Sequence, residues 1–249
     1  DESFSPKTGY VRRTGVNKFQ NHMSWQPRFN DSKIVRQMFL SYTNSIYTNL
    51  GGGGETMENG VVLPRIVFES TDEVFFKYSH FKDNPDLNFF VPGVGTINGG
   101  DYEWNTLTIG AGLSNKRKLG ATASVAFHDD WYDWERTDYN LGFRWSINKH
   151  LLLTTSHRFS HFEEGHVDDE VLLNSARMLI NINPNIGLLN VVQHDSDTDT
   201  VGLYSRFRWE WFPGKEMFLV LRQGYRDSIN GYDLETERYS IKLSTSFRF

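Results

Sequence analysis

The chain has 249 residues, a formal net charge of −5 and no cysteine. Its mean hydropathy is −0.52, and it contains no apolar run of the ~18 residues that a membrane-spanning helix needs. Lack of cysteine excludes disulfide frameworks, cysteine-ligated metals and thiol chemistry. The acidic balance, with a pI near 5.9, argues against a nucleic-acid partner. None of this excludes a membrane β-barrel, in which only alternate residues meet lipid and the average stays polar. Aromatics make up 15%, with 19 Phe, 11 Tyr and 7 Trp. That is rich for a soluble domain and natural for a barrel with aromatic girdles.

Period-two alternation sets the elements. It predicts about 13 strands, at roughly 15–27, 33–47, 57–69, 72–81, 101–113, 118–130, 136–147, 150–163, 169–181, 184–193, 200–212, 216–227 and 236–249. Pro64 falls inside the third and requires an edge or a bulge there. In 118–128, Leu119, Ala121, Ala123, Val125 and Phe127 oppose Gly120, Thr122, Ser124, Ala126 and His128. In 138–147, Tyr139, Leu141, Phe143, Trp145 and Ile147 oppose Asp138, Asn140, Gly142, Arg144 and Ser146. In 201–212, Phe207, Trp209 and Trp211 oppose Arg206, Arg208 and Glu210. The pattern is cleanest at the end, where Tyr239, Ile241, Leu243, Thr245, Phe247 and Phe249 oppose Arg238, Ser240, Lys242, Ser244, Ser246 and Arg248. Each strand has one greasy and one polar face.

The connections alternate too. Short turns are expected at 69–73, 114–118, 147–150, 182–185 and 212–215. Longer, polar loops are expected at 49–59, 82–100, 129–135, 163–169, 194–200 and 227–236. Short turns at one rim and long loops at the other describe an outer-membrane barrel, periplasm and exterior respectively. A soluble sandwich has no reason to segregate loop lengths in this way.

The fold class expected is therefore all-β, an antiparallel transmembrane β-barrel. Residues 1–14 would form an extracellular lead-in and 15–249 the barrel strands, with the C-terminus in the periplasm. An odd strand count puts the first strand's start outside, whereas bacterial barrels usually have even counts and periplasmic termini. The chain then reads as the C-terminal part of a larger barrel. Its open edges would need an upstream part of the same protein, or a partner chain, to complete it.

Two segments carry a family resemblance. Gly9-Tyr10-Val11-Arg12-Arg13-Thr14 leads into a strand, and Phe207-Arg208-Trp209-Glu210-Trp211 precedes Pro213-Gly214-Lys215-Glu216-Met217-Phe218-Leu219-Val220. Together they resemble the C-terminal barrel of Gram-negative proteins grouped under domain of unknown function 5916. That family is usually preceded by a family-9-like carbohydrate-binding module, absent here. The resemblance implies an outer-membrane barrel associated with saccharides. It supplies no catalytic residues.

The candidate functional surface is a set of interior-facing charges: Arg144, Arg158, Arg206, Arg208, Glu210, Arg222, Arg226, Arg238, Lys242 and Arg248, with Glu216 beside them. Such a ladder either sets a field for anionic or sugar solutes or pairs internally to brace a filled interior. Phe218 and Val220 share that face and point to some packed content. Trp131 and Trp134, expected in an exterior loop among acids, are candidate sugar-stacking platforms, against local burial as the plainer reading. Asp195, Asp197, Asp199, Asp168, Asp169 and Glu170 are read as solvated loop charge, because no EF-hand spacing accompanies them. No nucleophile motif, phosphate loop, zinc spacing or dinucleotide fingerprint appears.

Three functions follow in order. The first is a channel or transport-associated barrel for a small solute, saccharide among the candidates. The second is a plugged structural barrel that docks a partner protein. The third, an outer-membrane enzyme, is the weakest. No cofactor is expected. The expected partners are membrane lipid and lipopolysaccharide, the completing polypeptide, and the solute.

Overall fold

The computed structural model describes residues 15–51, 55–229 and 231–246. In chain order the strands are β1 (Val16–Trp25), β2 (Val35–Asn49), β3 (Glu55–Phe68), β4 (Glu73–Asp83), β5 (Phe89–Val91), β6 (Gly95–Ile97), β7 (Tyr102–Gly112) and β8 (Leu119–Trp131). They continue as β9 (Trp134–Asn148), β10 (Leu151–Glu164), β11 (Val167–Asn183), β12 (Ile186–Asp195), β13 (Thr200–Phe212), β14 (Lys215–Ser228) and β15 (Gly231–Thr245). The fold is all-β. Thirteen strands form one sheet in chain order, from β1 to β15, while β5 and β6 pair with each other between β4 and β7. The described registers in the large sheet are antiparallel. All thirteen fall near the spans the alternation predicts.

The connections correct the expectation. β8 runs on to Trp131 and β9 begins at Trp134, so only Tyr132 and Asp133 remain as a turn. Their φ angles of 51° and 71° are both left-handed, which matches the twist of a two-residue hairpin. Strands also run on to Glu164 and resume at Val167, and run on to Ser228 and resume at Gly231. Three of the expected long loops are thus strand extensions closed by tight turns. Main-chain ladder bonds continue there without apolar side chains to mark them. The longest connection is 84–101, which carries β5 and β6.

Pro64 sits where the alternation requires it to. The β3–β4 register shifts between Val62 and Arg65, and the β2–β3 register shifts between Phe39 and Ser41. A bulge relieves the ladder of the bond that a proline nitrogen cannot donate.

The chain divides into two compact units. One holds the described residues up to Ala111 with Ser124–Asp138 and His161–Asp169; the other holds Gly112–Ala123, Tyr139–Ser160 and the described residues from Glu170 on. Among the described residues, six of the seven buried apolar ones belong to the first unit: Ile97, Trp104, Ala126, Trp131, Trp134 and Phe162. Close packing there leaves no room at Gly110, where an added Cβ would meet the Phe75 ring at 2.3 Å. In the second unit, the buried apolar residue among those described is Val171.

Strand β9, in the second unit, is inverted relative to a soluble sheet. On β9, the apolar residues Tyr139, Leu141, Phe143 and Trp145 are each 46–48% exposed, whereas Asn140, Gly142, Arg144 and Ser146 between them are half-buried. On the edge strand β15 both faces are exposed, with Tyr239, Ile241 and Leu243 at 68–73%. A water-soluble sheet hides its greasy face. β9 turns it outward.

Candidate functional site

Register places the predicted charges of the second unit on one face. Arg208 stands opposite Phe218, which stands opposite Lys242. Arg206 opposes Val220 and then Ser240. Tyr204 opposes Arg222 and then Arg238. Arg226 opposes Thr200, and Glu210 opposes Glu216. Phe218 and Val220 do share this face. Arg144 and Arg158 keep the polar parity of β9 and β10: Arg144 Nη1 donates to the Asn115 carbonyl at 3.1 Å, and Arg158 Nε donates to Asn140 Oδ1 at 3.0 Å. Arg248 lies outside the described residues.

The charges divide into two groups. Arg208 is a brace: Nε donates to Glu216 Oε2 at 2.9 Å and Nη2 to Glu210 Oε2 at 2.7 Å. Glu210 Oε1 in turn accepts the Gly214 N–H at 3.1 Å, so one arginine ties two strands to the turn between them. Arg226 is paired with Glu235 at 2.6 Å. Arg206 and Arg222 instead lie over the rings of Phe218 and Tyr204, at 5.7 and 5.5 Å from the centroids. Among the described residues, Arg158, Arg206, Arg222, Arg238 and Lys242 have no carboxylate partner. Arg222 and Arg238 even face each other across the ladder, which disfavours the pair unless the charges stay solvated. The polar face therefore presents net positive charge.

A recess of about 430 Å³ opens on this unit, lined by Ser156, Arg158, Ser175, Gln193, Asp195 and Thr200, among others. Gly202 also lines it, and a Cβ there would touch nothing within 4 Å. Four consecutive strands, β10 to β13, contribute. Alternation alone cannot reveal it, because residues 158, 175, 193 and 202 meet only through register.

The first unit holds a different arrangement. Thr106 Oγ1 lies 2.9 Å from His128 Nδ1, His128 Nε2 lies 3.2 Å from Asp138 Oδ2, and Arg136 Nη2 lies 2.9 Å from the same oxygen. The order Thr–His–Asp resembles a hydrolase relay, but Thr106 is only 6% exposed, which denies a substrate access to its hydroxyl. The chain braces β7, β8 and β9. The sequence reading placed His128 and Asp138 on the polar face without seeing that they meet.

Trp131 and Trp134 are corrected by the same unit. They sit at strand ends, not in a loop, and each is 9% exposed. Arg136 already covers the Trp131 ring at 4.5 Å, with Phe162 at 5.7 Å and Tyr132 at 5.0 Å around it. A ring so occupied has no face left for a sugar. Trp104 extends this aromatic cluster through Phe81 (5.2 Å) and Tyr132 (4.9 Å), and Phe89 of β5 packs edge-on against Tyr132 at 5.4 Å.

The acidic clusters organise local backbone: Asp195 Oδ1 accepts the Asp197 N–H at 2.9 Å, and His161 pairs with Asp168 at 3.2 Å. Among the described residues, no group of three His, Asp or Glu side chains is placed to share a metal ion.

No family model matches the chain, and no curated protein matches it. Among solved structures, it is similar to a chain described as the CymD monoaromatic hydrocarbon channel, with 9% identity, a TM-score of 0.32, and coverage of 94% of this chain and 88% of that one.

Proposed function

We propose that the chain forms strands of an outer-membrane β-barrel that passes small polar solutes along its positively charged face. The observation that carries this is the inversion on β9, with Tyr139, Leu141, Phe143 and Trp145 outward and Asn140, Gly142, Arg144 and Ser146 half-buried. Residues such as Ile241 at 73% exposure gain favourable burial only against lipid. The lack of carboxylate partners for Arg206, Arg222, Arg238 and Lys242 supports a hydrated interior that favours negatively charged or hydroxyl-rich solutes. The final strand would end at the periplasm.

Thirteen antiparallel strands leave β1 and β15 running in the same direction. Direct closure would make a parallel seam. Closure through an odd number of further strands keeps the whole ladder antiparallel, and lipid tolerates no open edge. We read the completing strands as coming from further polypeptide, and the resemblance to domain of unknown function 5916 agrees with that.

The test is reconstitution of the protein, together with the polypeptide that supplies the completing strands, into proteoliposomes and planar bilayers. Folded, protease-resistant protein with stepwise conductance is expected. Protein that stays soluble without detergent would sink the reading. A second reading, a plugged barrel that docks a partner, is favoured by the aromatic packing of Trp104, Tyr132, Trp131 and Phe162 in the first unit. Membrane insertion with no conductance, together with stable co-purification of another protein, would favour it.

A further inference from the structure

The recess between β10 and β13 has an uneven chemistry. Arg158 lines it from β10. Its Nε is held by Asn140 Oδ1 at 3.0 Å, and among the described residues neither terminal nitrogen has a partner. Asp195 lines it from β12. Its Oδ1 accepts the Asp197 N–H, and Oδ2 has no partner among the described residues. Register puts Asp195 opposite Leu173 on one side and Thr200 on the other, and Gln193 opposite Ser175 and Gly202. β10 and Asp195 are thus two strands apart, a separation of roughly 10 Å. Between and beside them lie Ser156, Ser175 and Gln193, whose side chains carry no hydrogen bond to another described residue. Groups that could bond to each other and do not are free for a guest. The volume of about 430 Å³ falls in the range of small-molecule sites.

We propose that this recess is a binding subsite for a small solute with a carboxylate at one end and hydrogen-bond donors at the other. The carboxylate seats on the terminal fork of Arg158, which the Asn140 bond orients. The donors, hydroxyls or an ammonium, reach Asp195 and Gln193. Two sources share this chemistry, a sugar acid and a linear amino acid. No phenylalanine, tyrosine or tryptophan lines the recess, His194 supplying the one imidazole among its lining residues, so a neutral sugar, which is commonly held by stacking on such rings, is a poorer guest. The inference deepens the channel reading and rests on it for access, but its binding can be measured separately.

The probes are gluconate, 6-aminohexanoate and sorbitol, the last matching gluconate without the carboxylate. Binding to the detergent-folded full chain is read by calorimetry, and passage by flux into proteoliposomes. Gluconate binds and passes at least about tenfold better than sorbitol, as expected for one charge-assisted fork. In Arg158→Gln this preference collapses to about one, and Arg158→Lys restores part of it. Asp195→Asn weakens 6-aminohexanoate more than gluconate if an ammonium sits there; equal loss of both assigns hydroxyls. Gly202→Tyr fills the recess without backbone strain and abolishes binding of both acids. Lys116→Gln, in the β7–β8 turn, removes a cation elsewhere and leaves the preference intact. A gluconate-to-sorbitol ratio that survives both Arg158→Gln and Gly202→Tyr overturns the subsite. Binding without flux keeps the subsite and removes the channel; conductance without binding does the reverse.

Discussion

Replacing Phe143 by arginine separates a membrane sheet from a soluble one. Phe143 is 46% exposed on the apolar face of β9. Were that face in water, Phe143→Arg would be an ordinary surface change, within about 0.5 kcal/mol of neutral. In lipid it is severe. A strand rise of ~3.4 Å per residue at a tilt of ~40° gives about 2.6 Å along the membrane normal. Phe143 lies six positions before Lys149 in the β9–β10 turn, so it stands roughly 15 Å from that rim. The apolar band is ~25 Å tall, which puts Phe143 near the midplane, where an arginine costs about 2–4 kcal/mol. That is a factor of roughly 30 to 1,000 in the folded-to-unfolded ratio. The control is Gly202→Arg on the polar face, where the new side chain enters open space and the change should stay within about 1 kcal/mol. Both are read as urea midpoints for refolding into short-chain phospholipid bilayers. Equal stabilities for Phe143→Arg and wild type would refute the outward orientation of the apolar face, and the barrel with it.

Three further changes test the packing. Arg208→Gln leaves Glu210 and Glu216 facing each other; with the arginine side chain 35% exposed, the loss after screening is about 1 kcal/mol, and Glu216→Gln in that background recovers part of it in the same urea titration. Arg136→Leu uncovers the Trp131 ring and removes the guanidinium from Asp138, 13% exposed, for a cost of about 2 kcal/mol or more; adding Asp138→Leu should return most of it, and a double-mutant cycle with no coupling would remove the brace. Gly110→Ala drives a methyl into the Phe75 ring and should destabilise by about 1–3 kcal/mol. The same change in a Phe75→Ala background should cost almost nothing, and additive effects in the pair would show that the ring is not the obstacle.

The strands were legible because alternation is a property of each strand alone. Asn140 and Leu141 declare opposite faces whatever β9 pairs with, so the charges from Arg144 to Lys242 could be assigned to one face before any pairing was known. The hairpin ends were not legible. Asp129, Asp130, Glu163 and Glu164 break the apolar period, yet the ladder continues because main-chain bonds are indifferent to side-chain polarity. Trp131 and Trp134 were misplaced for that reason. The recess was also out of reach, since Arg158 and Gly202 are brought together by the sum of three registers. Whether a given arginine would be braced, like Arg208, or bare, like Arg238, depends on its neighbours on the next strand, the diagonal Glu216 in one case and the directly opposed Arg222 in the other.

The strand order has a consequence for how such a chain is made and how it changes. Every strand of the large sheet bonds only to neighbours in chain order. Long-range loop closure, the slow entropic step in most β proteins, is therefore nearly absent, and the ladder can zip up one hairpin after another. Modularity follows from the same order. A duplicated or deleted hairpin changes the strand number without rewiring any other pair, so in the proposed barrel the width would be a quantity that gene-level slippage can tune in steps of two strands.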